Sequence, residues 1–264
     1  MKKLIINADD FGWDADTTNT TIALIERGWI TSATIMTRCE ASELAMDYAR
    51  VAGSRVSFGL HFNIVDHHKA YLAAPNSLVD SDNRFRPSHR QRLAAMLGRL
   101  RRSDIAAELR AQLSELKRHR VRISHLDSHG HLHKFPAIAQ AIGPVLTEFG
   151  VVKIRRPQNL YTRRSFRDVL DYYCALRFPH YVSTDYFWTP SHGESAWLSD
   201  LHHFLPEGTT EIGIHPGQAE AWRRSEIEAF FSSDPKALNS IGIELINYHQ
   251  LTRQREGDLL KKPD

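Results

Sequence analysis

The 264-residue sequence has only two cysteines, Cys39 and Cys174, and therefore lacks the disulfide framework that stabilises many small secreted proteins. Long apolar runs are also absent, since none approaches the roughly 18 residues that cross a bilayer. The first apolar stretch stops at Asn7, which is too short for the core of a secretory signal peptide. These absences favour a protein of a reducing cytoplasm with no membrane partner.

The sequence has little excess charge of either sign, because 34 lysines and arginines nearly balance 31 aspartates and glutamates, giving a net charge of +3. An excess this small does not indicate a nucleic-acid partner. Hydrophobic residues make up 42% and charged residues 25% of the chain, which is typical of globular proteins and excludes a disordered or fibrous one. The unusual number is 15 histidines, and they are clustered.

Short apolar runs alternate with helical patterns along most of the chain, which predicts parallel strand–helix units. The predicted strands are 4–8, 33–36, 56–62, 122–126, 151–154, 211–215 and 243–246, with 181–187 extended. The predicted helices are 17–27, 41–52, 103–119, 136–149, 165–177 and 225–231, and 66–90 is predicted to be a long loop. With about seven strands and no linker between domains, the pattern predicts a single-domain α/β fold, a (β/α) barrel or a close variant.

Acidic residues and histidines follow several predicted strands, at the positions where the loops of such a fold gather the active site. Asp9 and Asp10 end the first strand, and because adjacent side chains of an extended chain point apart, the two carboxylates should have different roles. A pair of helix caps is the alternative. His61 and Asn63 share one face at the end of the third strand, where a hydrogen-bonded core histidine is the alternative for His61.

The segment 125–133 carries histidine or aspartate at every odd position, so an extended chain would place five polar groups on one face. At roughly 3.3 Å per residue, positions 129 and 133 would lie about 13 Å apart, and one metal ion could not bind them all. We therefore expect one residue of this segment to be a ligand and its neighbours to orient it or to contact substrate. A surface histidine tract is the alternative.

A fourth element places His215 at the end of an apolar strand, just before the turn residues Pro216 and Gly217. This position suits a proton donor near neutral pH, with an ordinary turn histidine as the alternative. Together the clusters offer one carboxylate and two imidazoles for a divalent metal ion, with a second carboxylate and another histidine for proton transfer. That set fits metal-assisted hydrolysis. The sequence contains neither a serine-nucleophile motif nor a glycine-rich phosphate-binding motif.

Four stretches in this order resemble the YdjC-like carbohydrate deacetylases, the group that includes chito-oligosaccharide deacetylase. They are residues 7–12, 59–63, 125–129 and 214–217, with softer matches at 77–80, 154–157 and 242–249. The resemblance covers roughly residues 3–251. It implies a distorted (β/α) barrel domain over 1–251, followed by a polar tail over 252–264. It also implies hydrolysis of an N-acetyl group from an acetylated amino sugar or oligosaccharide.

The resemblance assigns roles to individual residues. It implies a divalent metal ion, usually Mg²⁺ with Zn²⁺ or Mn²⁺ as alternatives, held by Asp10, His61 and His129. Asp9 matches the general base of the family. His215 stands where related polysaccharide deacetylases have the general acid.

The substrate is expected to meet a further group of residues around this centre. They are Asn63, Asp127, His131, Tyr186 and Trp188, with Tyr161 and Phe187 as other aromatic candidates for a wall against the sugar ring. The chain departs from the family over 64–69, where members often have a Leu-Thr pair and a Gly-Lys-Pro-Leu-like run. Gly130 stands where many members have another histidine. The first departure affects the loop expected to face the sugar.

Two other classes of function fit parts of the pattern. A metal-dependent phosphoesterase also uses aspartate and histidine clusters on a barrel, but it usually needs two ions about 3.5–4 Å apart and more carboxylate ligands than this sequence offers. A non-catalytic sugar-binding relative would keep the fold but have a decayed site. The presence together of Asp9, Asp10, His61, His129 and His215 argues against this class. A homodimer is a possible assembly that the sequence does not define.

Overall fold

A computed structural model describes residues 1–66, 68–160, 181–190 and 197–252. The predicted helix 165–177 lies outside these residues, as do Tyr161, Cys174 and positions 253–264 of the predicted tail. Within the described residues, no helix is both long enough and apolar enough to cross a membrane.

The described part of the chain forms seven strands and eight α-helices around one sheet. The strands are β1 (Lys2–Phe11), β2 (Ser32–Ile35), β3 (Ser57–Phe62), β4 (Ile123–Ser128), β5 (Tyr186–Trp188), β6 (Gly208–Ile214) and β7 (Ile243–Leu245). The helices are α1 (Ala15–Glu26), α2 (Ser42–Val51), α3 (Ser88–Met96), α4 (Arg102–Arg118), α5 (Pro136–Glu148), α6 (Trp197–Phe204), α7 (Ala221–Ser232) and α8 (Ala237–Ser240). Short 3₁₀ turns cover Gly53–Arg55 and His129–Lys134.

All pairings between these strands are parallel, in the order β4-β3-β2-β1-β6-β5, with β7 beside the first residues of β1. Beyond β4, Ile154 makes a parallel bridge to Leu126, and Lys153 makes one to Val182. Val182 lies only four residues before β5, which forms the opposite edge of the sheet. The sheet therefore curls back towards itself, and the predicted distorted (β/α) barrel is confirmed.

The strand β1 is buried along most of its length because it has sheet neighbours on both sides and packed layers on both faces. Its first residues pair with β6 and β7, and its last residues pair with β2. The core is completed by amphipathic helices. In α4 the four residues predicted to face inwards, Ile105, Leu109, Leu113 and Leu116, are all fully buried.

Two local predictions are wrong. Residues 66–90 are not a loop throughout, because Lys69 bridges Arg84 in antiparallel fashion and α3 begins at Ser88. The start of α3 escaped prediction because the helix has no apolar stripe, and Met96 is exposed. The segment 151–154 forms only isolated bridges and not a regular strand.

Gly59 is required where β3 passes close to β4. A Cβ atom at this position would lie 2.7 Å from both the ring and the carbonyl oxygen of His125. We expect Gly59→Ala to lower the free energy of unfolding by roughly 1–3 kcal/mol, because the neighbouring backbone would have to move. Urea denaturation measures this loss, and an unchanged midpoint would contradict the packing argument.

Candidate active site

The carboxyl ends of the parallel strands meet at one edge of the sheet and open into a pocket of about 600 Å³. This is the edge at which (β/α) folds place their active sites. The described residues that line it are Asp9, Asp10, Trp13, Asp14, His61, Ser88, Arg92, His129, Gly130, His131, Thr189, Pro190, His215, Glu220, Trp222 and Arg223.

Three of these residues, Asp10, His61 and His129, bring their donor atoms together from the ends of β1, β3 and β4. Asp10 Oδ1 lies 2.9 Å from His129 Nδ1 and 3.3 Å from His61 Nε2, and the two nitrogens are 3.3 Å apart. Ligands about 2.1 Å from one ion lie roughly 3.0–3.4 Å from each other. The three donors are also the oxygen and imidazole types that Mg²⁺, Mn²⁺ and Zn²⁺ accept. The residues present therefore fit a divalent ion.

A carboxylate lies behind each of the two imidazoles, and the one behind His61 is buried. His61 Nδ1 lies 2.7 Å from Asp127 Oδ1, and Asp127 Oδ2 accepts a hydrogen bond of 2.9 Å from Thr34. Asp66 Oδ2 lies 3.6 Å from His129 Nε2. A carboxylate behind a histidine fixes the ring and leaves the other nitrogen free to bind a metal ion.

The electrostatics of this cluster favour a cation. Burial disfavours charged imidazoles, but Asp127 and Asp10 outweigh it and raise the pKa of His61 to about 10. For His129, Asp10 and Asp66 likewise outweigh burial and raise the pKa to about 9. Both rings therefore hold protons at neutral pH when no ion is present. A divalent ion can take the place of these protons.

A second group of possible ligand atoms, from Asp9, His61 and Asp127, already has a cation. Both η nitrogens of Arg155 donate to Asp9, each at 2.7 Å, and Nη1 lies 2.8 Å from Asp127 Oδ2. A guanidinium in a carboxylate fork is the strong, bidentate form of ion pair. This second group therefore needs no metal ion.

Arg155 is the central residue that the sequence analysis missed. It lies in the softer family match 154–157, where it was given no role, and it is fully buried. Its Nε donates to Glu211 at 2.8 Å, and its guanidinium lies 4.7 Å from the ring centroid of Phe187. Burial would raise the pKa of Asp9, but the Arg155 guanidinium outweighs burial and holds that pKa well below its usual range. Asp9 is therefore ionised at neutral pH.

His215 lies at the end of β6 and is fixed by a carboxylate of α7. Glu226 Oε2 accepts a hydrogen bond of 2.8 Å from the backbone N–H of His215 and lies 3.2 Å from its Nδ1. Burial would lower the pKa of His215, but Glu226 and the nearby aspartates raise it above its usual value. Asp127, which the sequence analysis expected to contact substrate, is not this carboxylate. The structure places Asp127 behind His61 instead.

Arg223 is a second missed residue, one turn before Glu226 on α7. Its Nη2 donates to Asp10 Oδ2 at 2.8 Å, and its Nε donates to Glu220 at 2.8 Å. The first bond occupies the outer oxygen of Asp10, so that Oδ1 faces the two histidines. The spacing of Arg223 and Glu226 by three residues was visible in the sequence, but nothing local connected it to strands β1 and β6.

The predicted single face of segment 125–133 is wrong, because the chain leaves β4 after Ser128. Gly130 and His131 have φ angles of 61° and 54°, in the left-handed region, and they end the alternation of side chains. His125 instead stacks on Tyr248 in the interior, with ring centroids 3.6 Å apart. Only the middle of the segment, His129 to His131, reaches the pocket.

The residues expected to contact substrate are placed unevenly. His131 lines the pocket, whereas Asn63 is buried and its Oδ1 accepts a hydrogen bond from the backbone of Val65. Trp188 is buried beside Trp197, and neither Tyr186 nor Trp188 is among the described lining residues.

Two indoles that the sequence analysis did not single out line the pocket. Trp13 lies nearly parallel to the ring of His129, with centroids 5.6 Å apart, and Trp222 lies 5.3 Å from the ring of His215. Trp13 follows the Asp9-Asp10 cluster closely enough in sequence to have been a candidate.

Comparisons with known proteins identify the family of the chain. The chain matches the family model for YdjC-like proteins over residues 3–264. It is 31% identical over 183 residues to the carbohydrate deacetylase of Brevibacillus brevis, covering 69% of this chain and 70% of that protein. It is 32% identical over 162 residues to the carbohydrate deacetylase of Geobacillus stearothermophilus, covering 60% of this chain and 63% of that protein.

A crystal structure from Enterococcus faecalis V583, of a candidate cellobiose-phosphate cleavage protein, has the same fold. Its TM-score is 0.76 at 24% sequence identity, over 96% of this chain and 99% of that chain. With the fold, the strand-end cluster and the family match over nearly the whole length in agreement, the chain belongs to the YdjC-like family.

Proposed function

We propose that the protein is a metal-dependent hydrolase that removes the N-acetyl group from an acetylated amino sugar or oligosaccharide. The observation that carries the proposal is the convergence of Asp10, His61 and His129 on one point, beside Asp9 and His215 in the same pocket. The relatives named carbohydrate deacetylase support the substrate class.

A divalent ion, Mg²⁺ first with Zn²⁺ or Mn²⁺ as alternatives, would be held by Asp10, His61 and His129. When bound there, it supplies Lewis acidity towards the acetamide carbonyl. The protein contributes the orientation of its donors: Arg223 fixes Asp10, and Asp127 fixes His61.

Asp9 acts as the general base in this proposal. It lines the pocket, and Arg155 keeps it ionised, so that it can accept a proton from the attacking water at neutral pH. The bidentate contact also fixes both carboxylate oxygens in one orientation. The water oxygen forms the new bond to the carbonyl carbon as its proton passes to Asp9.

His215 acts as the general acid. The bond from the carbonyl carbon to the amide nitrogen breaks only when the nitrogen receives a proton, because an amine anion is a very poor leaving group. Glu226 raises the pKa of His215 and so favours the protonated form of its ring. The products are acetate and the free amino sugar.

The sugar itself would rest against the pocket wall. Trp13, Trp222 and His131 line it, and the apolar face of an aromatic ring suits the C–H face of a pyranose. Asn63 and Asp127 would then act from behind, by holding the chain after β3 and the ring of His61.

Acetate release from N-acetylglucosamine and its oligosaccharides tests the function directly. We expect release by the purified protein, its loss on treatment with a chelator, and recovery when Mg²⁺ is restored. His61→Ala should lose metal content and activity together, whereas the exposed His203→Ala should keep both. No acetate release by the metal-loaded protein would overturn the function, and full metal occupancy in His61→Ala would overturn the ligand assignment.

Replacing Asp9 by Asn separates the base from the ligands. The variant keeps the size of the side chain but removes its basicity, so turnover should fall roughly 10²–10⁴-fold while metal content stays unchanged. Asp14→Asn is the matched control, because Asp14 also lines the pocket and caps α1, and Asn caps a helix equally well. Loss of metal in Asp9→Asn would mean that the roles of Asp9 and Asp10 are reversed.

Replacing Glu226 by Gln tests the proton donor through the pH–rate profile. Without the carboxylate, the raised pKa of His215 should fall. A general acid works only while protonated, so the alkaline limb of the profile should move to lower pH by the same amount. In His215→Ala this limb should disappear, and an activated ester should lose less activity than the amide. An unmoved limb in Glu226→Gln would contradict the role of the pair.

A further inference from the structure

We propose that Glu211 and Tyr248 are positioning residues, which hold Arg155 in the orientation that grips Asp9. Neither residue is among the described residues that line the pocket. The inference rests on the proposed function, because Asp9 is the base there.

The argument begins with the shape of Arg155. A guanidinium is planar and its donors form a fixed fork, so fixing the direction of Nε also fixes where the two η nitrogens point. In this protein Nε donates to Glu211 at 2.8 Å while both η nitrogens donate to Asp9 at 2.7 Å. The ring of Phe187 covers one face of the plane. Glu211 therefore sets the in-plane rotation of the fork.

Glu211 is in turn held in place by a hydroxyl. It lies on β6, opposite Ile5 of β1, and is fully buried. One of its oxygens accepts from Arg155 and the other accepts from the hydroxyl of Tyr248 at 2.5 Å. A buried carboxylate without a donor for each oxygen is strongly disfavoured, so the Tyr248 hydroxyl defines how the carboxylate lies.

The hydroxyl of Tyr248 is placed by the packing of its ring. The residue follows β7, is fully buried and stacks on His125 with an interplanar angle of 9°. Its backbone N–H donates to Ser57 Oγ at 3.1 Å. The ordered contacts Tyr248–Glu211–Arg155–Asp9 thus connect the segment after β7 to the base.

Several acidic side chains surround Arg155, and its orientation therefore depends on the contacts of Glu211 and Tyr248. Asp9, Asp127 and Glu211 all contact one guanidinium, and each draws it in a different direction. Without the Tyr248 hydroxyl, one oxygen of Glu211 has no hydrogen-bond donor. Arg155, which already contacts Glu211, is the available donor. The fork would then turn, and at least one contact with Asp9 would lengthen.

The test is Tyr248→Phe, which keeps the stacked ring and removes only the hydroxyl. We expect kcat to fall about tenfold, while KM and metal content stay close to the wild-type values. Tyr181→Phe is the matched control, because its hydroxyl donates at 3.0 Å to the carbonyl of Gly143 in α5 and takes no part in the contacts from Tyr248 to Asp9. An unchanged kcat in Tyr248→Phe would overturn the inference.

A double-mutant cycle separates positioning from general stability. Lysine lacks the bidentate guanidinium. In an Arg155→Lys background, Tyr248→Phe should therefore lower kcat by less than twofold. If Tyr248 had a purely structural role, Tyr248→Phe would lower kcat by the same tenfold in both backgrounds, and that result would overturn the inference. If Arg155→Lys does not fold, Asp9→Asn serves as the background with the same expectation.

A crystal structure of Tyr248→Phe provides a readout without activity. We expect Glu211 to be rotated and at least one of the two Arg155–Asp9 contacts to be lost, and an unchanged fork would contradict the inference. Inactivity of the wild-type protein on every N-acetylated sugar would instead overturn the proposed function, with the crystal structure still testing the positioning of Arg155.

Discussion

The rest of the site depends on one buried guanidinium. Arg155 lies inside the curled sheet, where it contacts Asp9 from β1, Asp127 from β4 and Glu211 from β6. Three carboxyl groups packed this closely in a low-dielectric interior are strongly disfavoured without a cation among them. Removing the guanidinium would leave buried acidic side chains on three strands without their shared cation. The same ion pairs therefore connect side chains from three strands of the curled sheet.

From this centre the hydrogen bonds lead outwards in a continuous order. Asp127 connects Arg155 to His61, and His61 lies beside Asp10, whose outer oxygen is held by Arg223. The residue assigned as base and the residues assigned as ligands thus belong to one network. A change at any member alters the electrostatic environment of the others. The free-energy effects of single substitutions in such networks are therefore rarely additive.

Much of this arrangement follows from the sequence by a simple geometric rule. Parallel strands end at a common edge, so side chains that follow separate strands, such as Asp10, His61 and His129, are expected to meet there. Short apolar runs with no amphipathic period identified the buried strands. These inferences use only the local pattern and the fold class, and both can be inferred from the amino-acid sequence.

The rest could not be predicted because it depends on contacts across the sheet. Nothing local distinguishes Arg155 from its neighbour Arg156, although the first is fully buried in the interior and the second bonds to a backbone carbonyl. The alternation around His129 failed because two left-handed residues, Gly130 and His131, turned the chain away from extended geometry. A glycine signals that freedom, but a histidine in the same conformation does not.

The pairing of β1 has a consequence for the way the chain assembles. This first strand takes its neighbours from β6 and β7, more than 200 residues later in the chain, as well as from the nearby β2. During synthesis one edge of the apolar β1 therefore stays unpaired until the last quarter of the described chain has emerged from the ribosome. Pairing between strands that are distant in sequence makes folding slow and exposes aggregation-prone intermediates. A strand that is buried along most of its length in the finished protein is thus the one that stays incomplete longest.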